Sequence, residues 1–91
     1  MFKNLEELIA TIRQRKGSLS EKSYTSKLLN NKQLNIEKIK EEIGELIEAV
    51  EKDTNKVHEA ADVLYHLMVL LEANGIKIED VLDELKKRQK W

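Results

Sequence analysis

Apolar residues recur every three or four positions along most of this chain, which is the spacing of amphipathic helices. The helices predicted from this spacing and from the flanking polar residues span residues 2–16, 24–31, 36–51, 55–73 and 78–90. The sequence contains no proline and only three glycines, so little interrupts these segments. We therefore expect an all-α fold, an antiparallel bundle of four to five helices.

The residues at the ends of these segments indicate where the helices begin and end. Asn35 can cap the third helix, since its side chain can accept from an amide two or three residues further on. Asn74 and Gly75 form a strong end signal for the fourth helix, because glycine adopts the left-handed conformation freely. The short polar connection at residues 53–55 favours antiparallel packing of the third and fourth helices, and residues 18–23 indicate a loop.

Size and composition favour one folded domain, which we assign to residues 1–91. With 41% hydrophobic and 36% charged residues, the chain is too apolar for a disordered protein, and a second subunit would enlarge its small core. It has no cysteine and no apolar run long enough to cross a membrane, so a reducing cytoplasm is the default compartment. A net charge of −1 gives no basic excess for nucleic acid.

The charges are unevenly distributed along the chain. Residues 1–40 contain nine Lys or Arg and four Glu, whereas residues 41–91 contain seven Lys or Arg and thirteen acidic residues. Basic side chains could contact phosphates, although ordinary surface solubility explains any one of them. A cationic half beside an anionic half suits a phosphate-rich ligand that binds together with a metal ion.

Five carboxylates form the strongest chemical pattern in the sequence. They follow an E-E-x-x-E spacing at Glu41, Glu42 and Glu45, and an E-x-x-D spacing at Glu59 and Asp62. Carboxylates three residues apart point to the same side of a helix, and the apolar residues around the second pair predict that this helix is largely buried. Because buried carboxylates need a partner, two such pairs on antiparallel helices predict a Mg²⁺ site. The alternative is a solvated acidic face.

The two histidines are too few to build a metal site by themselves. His66 follows Asp62 by four residues, so it could hydrogen-bond that carboxylate or a substrate phosphate, or be a satisfied core histidine. We expect His58 on the surface, and Tyr65 in the core or at a dimer interface.

Four stretches of the chain, taken in order, resemble one enzyme family. They are S-Y-T-S-K-L at residues 23–28, K-I-K-E-E-I-G-E at 38–45, E-A-A-D-V-L-Y-H-L at 59–67 and G-I-K-I-E-D-V-L-D-E-L at 75–85. They are similar to the phosphoribosyl-ATP pyrophosphohydrolases of histidine biosynthesis, which belong to the MazG-like all-α nucleotide pyrophosphohydrolases. The carboxylate spacing indicates only this superfamily, whereas the S-Y-T element and the A-D-V-L-Y-H segment narrow the resemblance to the family.

The resemblance implies roles for the carboxylates and for several other polar residues. The implied metal ligands are Glu42, Glu45, Glu59 and Asp62. Glu41 is implied as a further ligand or as the catalytic group that orients water. The implied substrate-binding residues are Ser23, Tyr24, Thr25 and Lys27, with Lys38 or His66 near the phosphates.

The implied reaction is hydrolysis of phosphoribosyl-ATP to phosphoribosyl-AMP and pyrophosphate, with Mg²⁺, or Mn²⁺ as a substitute, held by the carboxylates. The expected partners are this small-molecule nucleotide and further copies of the chain in a homodimer or a dimer of dimers, with neither nucleic acid nor membrane. Two other functions stay open. One is a house-cleaning pyrophosphohydrolase that acts on free or damaged nucleoside triphosphates, and the other is a non-catalytic helical module whose acidic stripe binds a basic partner.

Overall fold

A computed structural model describes residues 1–17 and 23–90. This part of the chain forms five α-helices and no β-strand, so the all-α prediction is confirmed. The helices are α1 (Lys3–Lys16), α2 (Tyr24–Leu29), α3 (Lys32–Lys52), α4 (Lys56–Ala73) and α5 (Ile78–Lys87). The predicted loop at residues 18–23 lies, except for its last residue, outside the described residues. No helix among those described has both the length and the apolar character needed to cross a bilayer.

Helices α3 and α4 form the most extensively packed pair and run antiparallel. A turn at residues 53–55 joins them, in which Asp53 and Asn55 adopt left-handed backbone conformations with φ of 55° and 43°. Asp and Asn tolerate this conformation better than most other non-glycine residues, so the chain can reverse direction within this short turn. The start of α3 consequently lies beside the C-terminal half of α4, where the side chain of Asn35 reaches the backbone of His66.

The start of α3 differs from the prediction. The helix begins at Lys32, and Asn31 caps it by accepting a hydrogen bond from the Leu34 amide at 3.0 Å. Asn35 lies inside the helix and is fully buried, and its side-chain amide donates to the His66 carbonyl at 3.4 Å. The prediction of Asn35 as the cap is therefore wrong, because both asparagines carry the same local signal and only the contact with α4 distinguishes them.

Ile39 and Ala49 are buried on α3, and the main cluster of the hydrophobic core lies where α1 and α2 pack on the C-terminal half of α4. Its buried residues come from α1, α2 and α4, and they are Ile9, Ile12, Leu28, Met68 and Val69. Full burial of one aliphatic side chain stabilises a fold by about 1.5–3 kcal/mol. This cluster therefore holds the C-terminal half of α4 against α1 and α2.

The N-terminal half of α4 is more exposed than the sequence predicts. Val57 keeps 85% of its surface and Leu64 keeps 44%, and on α3 Ile47 and Val50 keep 56% and 60%. The expectation of a largely buried helix is wrong for this half, because α1 and α2 pack on the other half of α4. In a single chain, α3 and α4 therefore share an uncovered apolar face.

Candidate metal and substrate site

The acidic residues of α3 and α4 lie close together in the half of this helix pair that is nearer to the connecting turn at residues 53–55. One group consists of Glu42, Glu45 and Glu59. A second group consists of His58, Glu59 and Asp62. Within each group the potential ligand atoms all lie within 4.8 Å of one another. Since Glu59 belongs to both groups, the four predicted metal ligands form one continuous cluster.

Two buried carboxylate oxygens of this cluster lack a hydrogen-bond partner. Glu42 is only 8% exposed, and its Oε2, like Oε2 of Glu59, has no partner among residues 1–17 and 23–90. Burial raises the pKa of Glu42 above its ordinary value, and the neighbouring carboxyl group of Glu45 raises it further. Burial likewise raises the pKa of Glu59, and repulsion from Glu45 is the next cause. The surroundings of both residues therefore disfavour their ionised forms.

A hard divalent cation fits this set of donors. Buried polar atoms in folded proteins almost always have a partner, and carboxylate oxygens are ligands that suit both Mg²⁺ and Mn²⁺. A cation among these side chains would contact the two partnerless oxygens and offset the repulsion between the carboxylates. The residues present are thus suited to the metal site that their spacing predicts.

Glu41 lies apart from both groups. Its side chain is 54% exposed and pairs with Lys38, whose Nζ lies 3.6 Å from Glu41 Oε2. Consecutive helical residues point about 100° apart, so Glu42 faces α4 while Glu41 faces solvent. The structure therefore brings the predicted metal ligands together and leaves the predicted catalytic group at their edge.

His66 links α2 to the helix that carries the acidic cluster. It is 5% exposed, and its Nδ1 lies 2.7 Å from the Asp62 carbonyl oxygen, which can only accept, so Nδ1 carries the proton. In the neutral ring, Nε2 then accepts from the Tyr24 hydroxyl at 2.9 Å. The hydroxyls of Thr25 and Tyr65 form a second bond between α2 and α4. The structure therefore shows His66 as a buried histidine whose two nitrogens are both engaged.

The remaining predicted substrate residues have different surroundings. Ser23 caps α2, where its Oγ accepts from the Ser26 amide at 3.0 Å. Lys27 is exposed on the same short helix. Lys38 is 35% exposed on α3 beside Glu41. Of these three residues, only Lys38 lies on a helix that carries part of the acidic cluster.

Two further residues of this region carry no predicted role in the site. His58 is exposed, as expected, but its Nε2 lies 3.4 Å from Asp62 Oδ2. The spacing of four residues between them is visible in the sequence and could have indicated this contact. Asn35 has an Oδ1 that is buried without a partner in the described chain. No local signal separates this residue from an ordinary helix cap.

Comparisons with known proteins agree with the resemblance in the sequence. A family model described as phosphoribosyl-ATP pyrophosphohydrolase matches residues 5–89. A phosphoribosyl-ATP pyrophosphatase from Dinoroseobacter shibae is 47% identical over 93% of this chain and 86% of its own length. Proteins of the same name from Ruegeria pomeroyi and Haloarcula marismortui are 46% and 41% identical over 93% of this chain and over 84% and 92% of their own lengths. The chain therefore belongs to the phosphoribosyl-ATP pyrophosphohydrolase family.

Proposed function

We propose that this protein hydrolyses the bond between the α and β phosphates of phosphoribosyl-ATP and releases phosphoribosyl-AMP and pyrophosphate. The supporting observation is the convergence of four acidic residues, two of which carry partnerless buried oxygens, in a chain of this family. Carboxylate clusters of this kind suit Mg²⁺, which binds through a few carboxylates and substrate phosphates. The acidic ligands are Glu42, Glu45, Glu59 and Asp62.

The metal ion, Glu41 and Lys38 would have different roles in this reaction. A bound Mg²⁺ or Mn²⁺ would neutralise charge on the phosphates and acidify the attacking water. Glu41 is the candidate to orient that water and accept its proton, because it lies at the edge of the cluster and outside both ligand groups. Its exposed ion pair with Lys38 costs little to open, and Lys38 would then contact a phosphate.

Helix α2 would border the substrate through its exposed side. The bonds from Tyr24 to His66 and from Thr25 to Tyr65 fix this short helix on α4. The ring of Tyr24 remains 44% exposed. We propose that this ring and the ammonium group of Lys27 contact the nucleotide, while the buried bonds and the Ser23 cap hold α2 in position.

We further propose that the protein works as a homodimer or a dimer of dimers. Helices α3 and α4 leave an apolar surface uncovered in a single copy, and a second copy would bury it. Exposed apolar residues of α3 and α4 account for part of this surface, and they are Ile43, Ile47, Val50, Val57 and Leu64.

An Ile47→Asp variant tests the assembly. A charge on this face should block its burial against a second copy, so we expect a smaller species than the native protein in sedimentation at micromolar concentration. Thr11→Asp, at an exposed polar position of α1, is the control and should sediment as the native protein does. A native protein that sediments as a monomer would contradict the proposed assembly.

A pyrophosphate-release assay tests the reaction. We expect release from phosphoribosyl-ATP with Mg²⁺, and none once the metal is chelated. A panel of deoxynucleoside triphosphates assayed in parallel separates the house-cleaning function, because release from these alone would contradict our proposal. A protein that shows no binding of Mg²⁺ or Mn²⁺ by calorimetry would instead favour the non-catalytic module.

A further inference from the structure

His58 lies on the first turn of α4 and brings a nitrogen atom to the acidic cluster. Its Nε2 is 3.4 Å from Asp62 Oδ2, and a Glu59 oxygen completes a group whose atoms all lie within 4.8 Å of one another. The spacing of four residues places His58 and Asp62 on the same face of the helix. This group therefore differs from the neighbouring all-carboxylate group by its imidazole.

The atomic separations in this group suit a single ion between the side chains. Ligand atoms bound at about 2.1 Å lie roughly 3.0 Å apart at right angles and roughly 3.4 Å apart in tetrahedral geometry. The distance of 3.4 Å between His58 Nε2 and Asp62 Oδ2 falls within this range. Both atoms could therefore contact the same ion without a change in helix geometry.

Two observations favour a bound cation over a simple ion pair. Glu59, which belongs to this group, carries a buried Oε2 without a hydrogen-bond partner in residues 1–17 and 23–90. Glu42, which is 8% exposed, adds a second such oxygen in the adjoining group. The His58 side chain itself is 72% exposed, and exposed ion pairs contribute little stability. Ion pairing alone therefore leaves the buried oxygens of the cluster without a partner.

The second histidine of the chain does not offer a nitrogen to this position. His66 uses Nδ1 to donate to the Asp62 carbonyl and Nε2 to accept from the Tyr24 hydroxyl. The chain contains two histidines in all. Any imidazole nitrogen on an ion in this cluster is therefore expected to come from His58.

We propose that His58 is a metal ligand, and that the position formed by His58, Glu59 and Asp62 prefers first-row transition-metal ions such as Mn²⁺ and Co²⁺ to Mg²⁺. Imidazole suits transition metals, whereas Mg²⁺ selects oxygen ligands. The neighbouring group of carboxylates lacks this nitrogen ligand and suits Mg²⁺. This assignment rests on the proposed function, since both positions belong to the same site.

Pulsed electron paramagnetic resonance of Mn²⁺ bound to untagged protein tests the ligand directly, because it detects nitrogen nuclei attached to the ion. We expect nitrogen coupling in the native protein and its loss in His58→Gln. The substituted position is exposed, so circular dichroism should show an unchanged fold. Lys56→Gln, on the same exposed turn, is the control and should retain the coupling.

Calorimetric titration gives a second readout that does not depend on turnover. We expect His58→Gln to weaken Co²⁺ binding about tenfold or more and to change Mg²⁺ affinity by less than about threefold. An equal loss of affinity for both ions would overturn the assignment, because it would show that His58 acts without direct coordination.

The outcomes separate this assignment from the proposed function. Nitrogen coupling that is absent from the native protein, or that persists in His58→Gln, would overturn the assignment and leave the hydrolysis proposal standing. Failure of the native protein to bind Mn²⁺ at all would overturn both. Nitrogen coupling that depends on His58, in a protein that releases no pyrophosphate from phosphoribosyl-ATP, would support the assignment alone.

Discussion

The two halves of α4 lie in different surroundings. In the C-terminal half, Met68 and Val69 are 4% and 0% exposed and pack against α1 and α2. In the N-terminal half, Val57 is 85% exposed, and Glu59 and Asp62 belong to the acidic cluster. One helix therefore contributes its end to the hydrophobic core and its beginning to the candidate site.

This difference explains how a small fold can contain a cluster of carboxylates whose ionised forms lower its stability. The burial and repulsion that raise the pKa of Glu42 and Glu59 make their ionised forms unfavourable. These groups lie outside the buried apolar cluster that joins α1, α2 and the C-terminal half of α4. Substitutions in the acidic cluster should therefore change the chemistry more than the stability, and substitutions in the buried apolar cluster should change the stability more than the chemistry.

The largest effect is expected from Asp62→Asn in the N-terminal half. Loss of a metal-binding carboxylate should lower kcat/KM for phosphoribosyl-ATP by about 100-fold or more, while circular dichroism shows a retained helical fold. Asp83→Asn, at an exposed carboxylate of α5, is the matched control and should keep native activity. An unfolded Asp62→Asn protein would instead indicate that this carboxylate is structural.

Leu28→Ala tests the other region. Leu28 is fully buried in the core, so truncation should lower the free energy of unfolding in denaturant by about 2–5 kcal/mol. Mn²⁺ affinity of the folded fraction should stay unchanged, because this leucine lies outside the cluster. Leu82→Ala, at a leucine that is 55% exposed, should cost much less. Loss of metal binding in folded Leu28→Ala would contradict the separation of the two regions.

Glu42→Gln should stabilise the metal-free protein at neutral pH. The raised pKa of Glu42 means that the folded state binds this proton more readily than the unfolded state does. Its contribution to stability is therefore present below pH 4.5 and is lost as pH rises through the raised pKa. Calorimetry in chelator should show a higher Tm for the variant at pH 7 and a weaker pH dependence.

Glu51→Gln provides the comparison for that measurement, because Glu51 is exposed on the same helix. It should leave both the Tm and its pH dependence close to native values. A Glu42→Gln protein that melts below the native protein in chelator would show that the carboxylate stabilises the fold.

The smallest effect concerns an ion-pair network that joins α1, the last turn of α4 and α5. Arg13 of α1 pairs with Glu72 and Glu79, each at 2.7 Å, and lowers the pKa of Glu79 to about 2. In Arg13→Gln, carboxyl titration by NMR should show this pKa returning toward 4.5. The stability that this pair adds is present above pH 4.5 and is lost as pH falls toward 2. Because the network is partly exposed, we expect only a small change in Tm.

Local patterns were sufficient to establish the helices, the acidic residues and the family. Hydrophobic spacing and the absence of proline act within one segment of chain, so the helix ends are predicted within three residues everywhere except at the start of α3. The left-handed Gly75, with φ of 69°, ends α4 as its residue type predicts. The candidate ligands could be named because their spacing is a property of one helix at a time.

Tertiary packing alone decided which of these residues meet. Glu41 and Glu42 are neighbours in the sequence, yet only the second joins a cluster with Glu59 of the other helix. Packing of α3 against α4 likewise buries Asn35. Because α1 and α2 pack only on the C-terminal half of α4, its N-terminal half stays exposed. Spacing sets the direction of a side chain around the axis of its own helix, and only the position of a second helix determines whether that direction leads to solvent, to a core or to another charge.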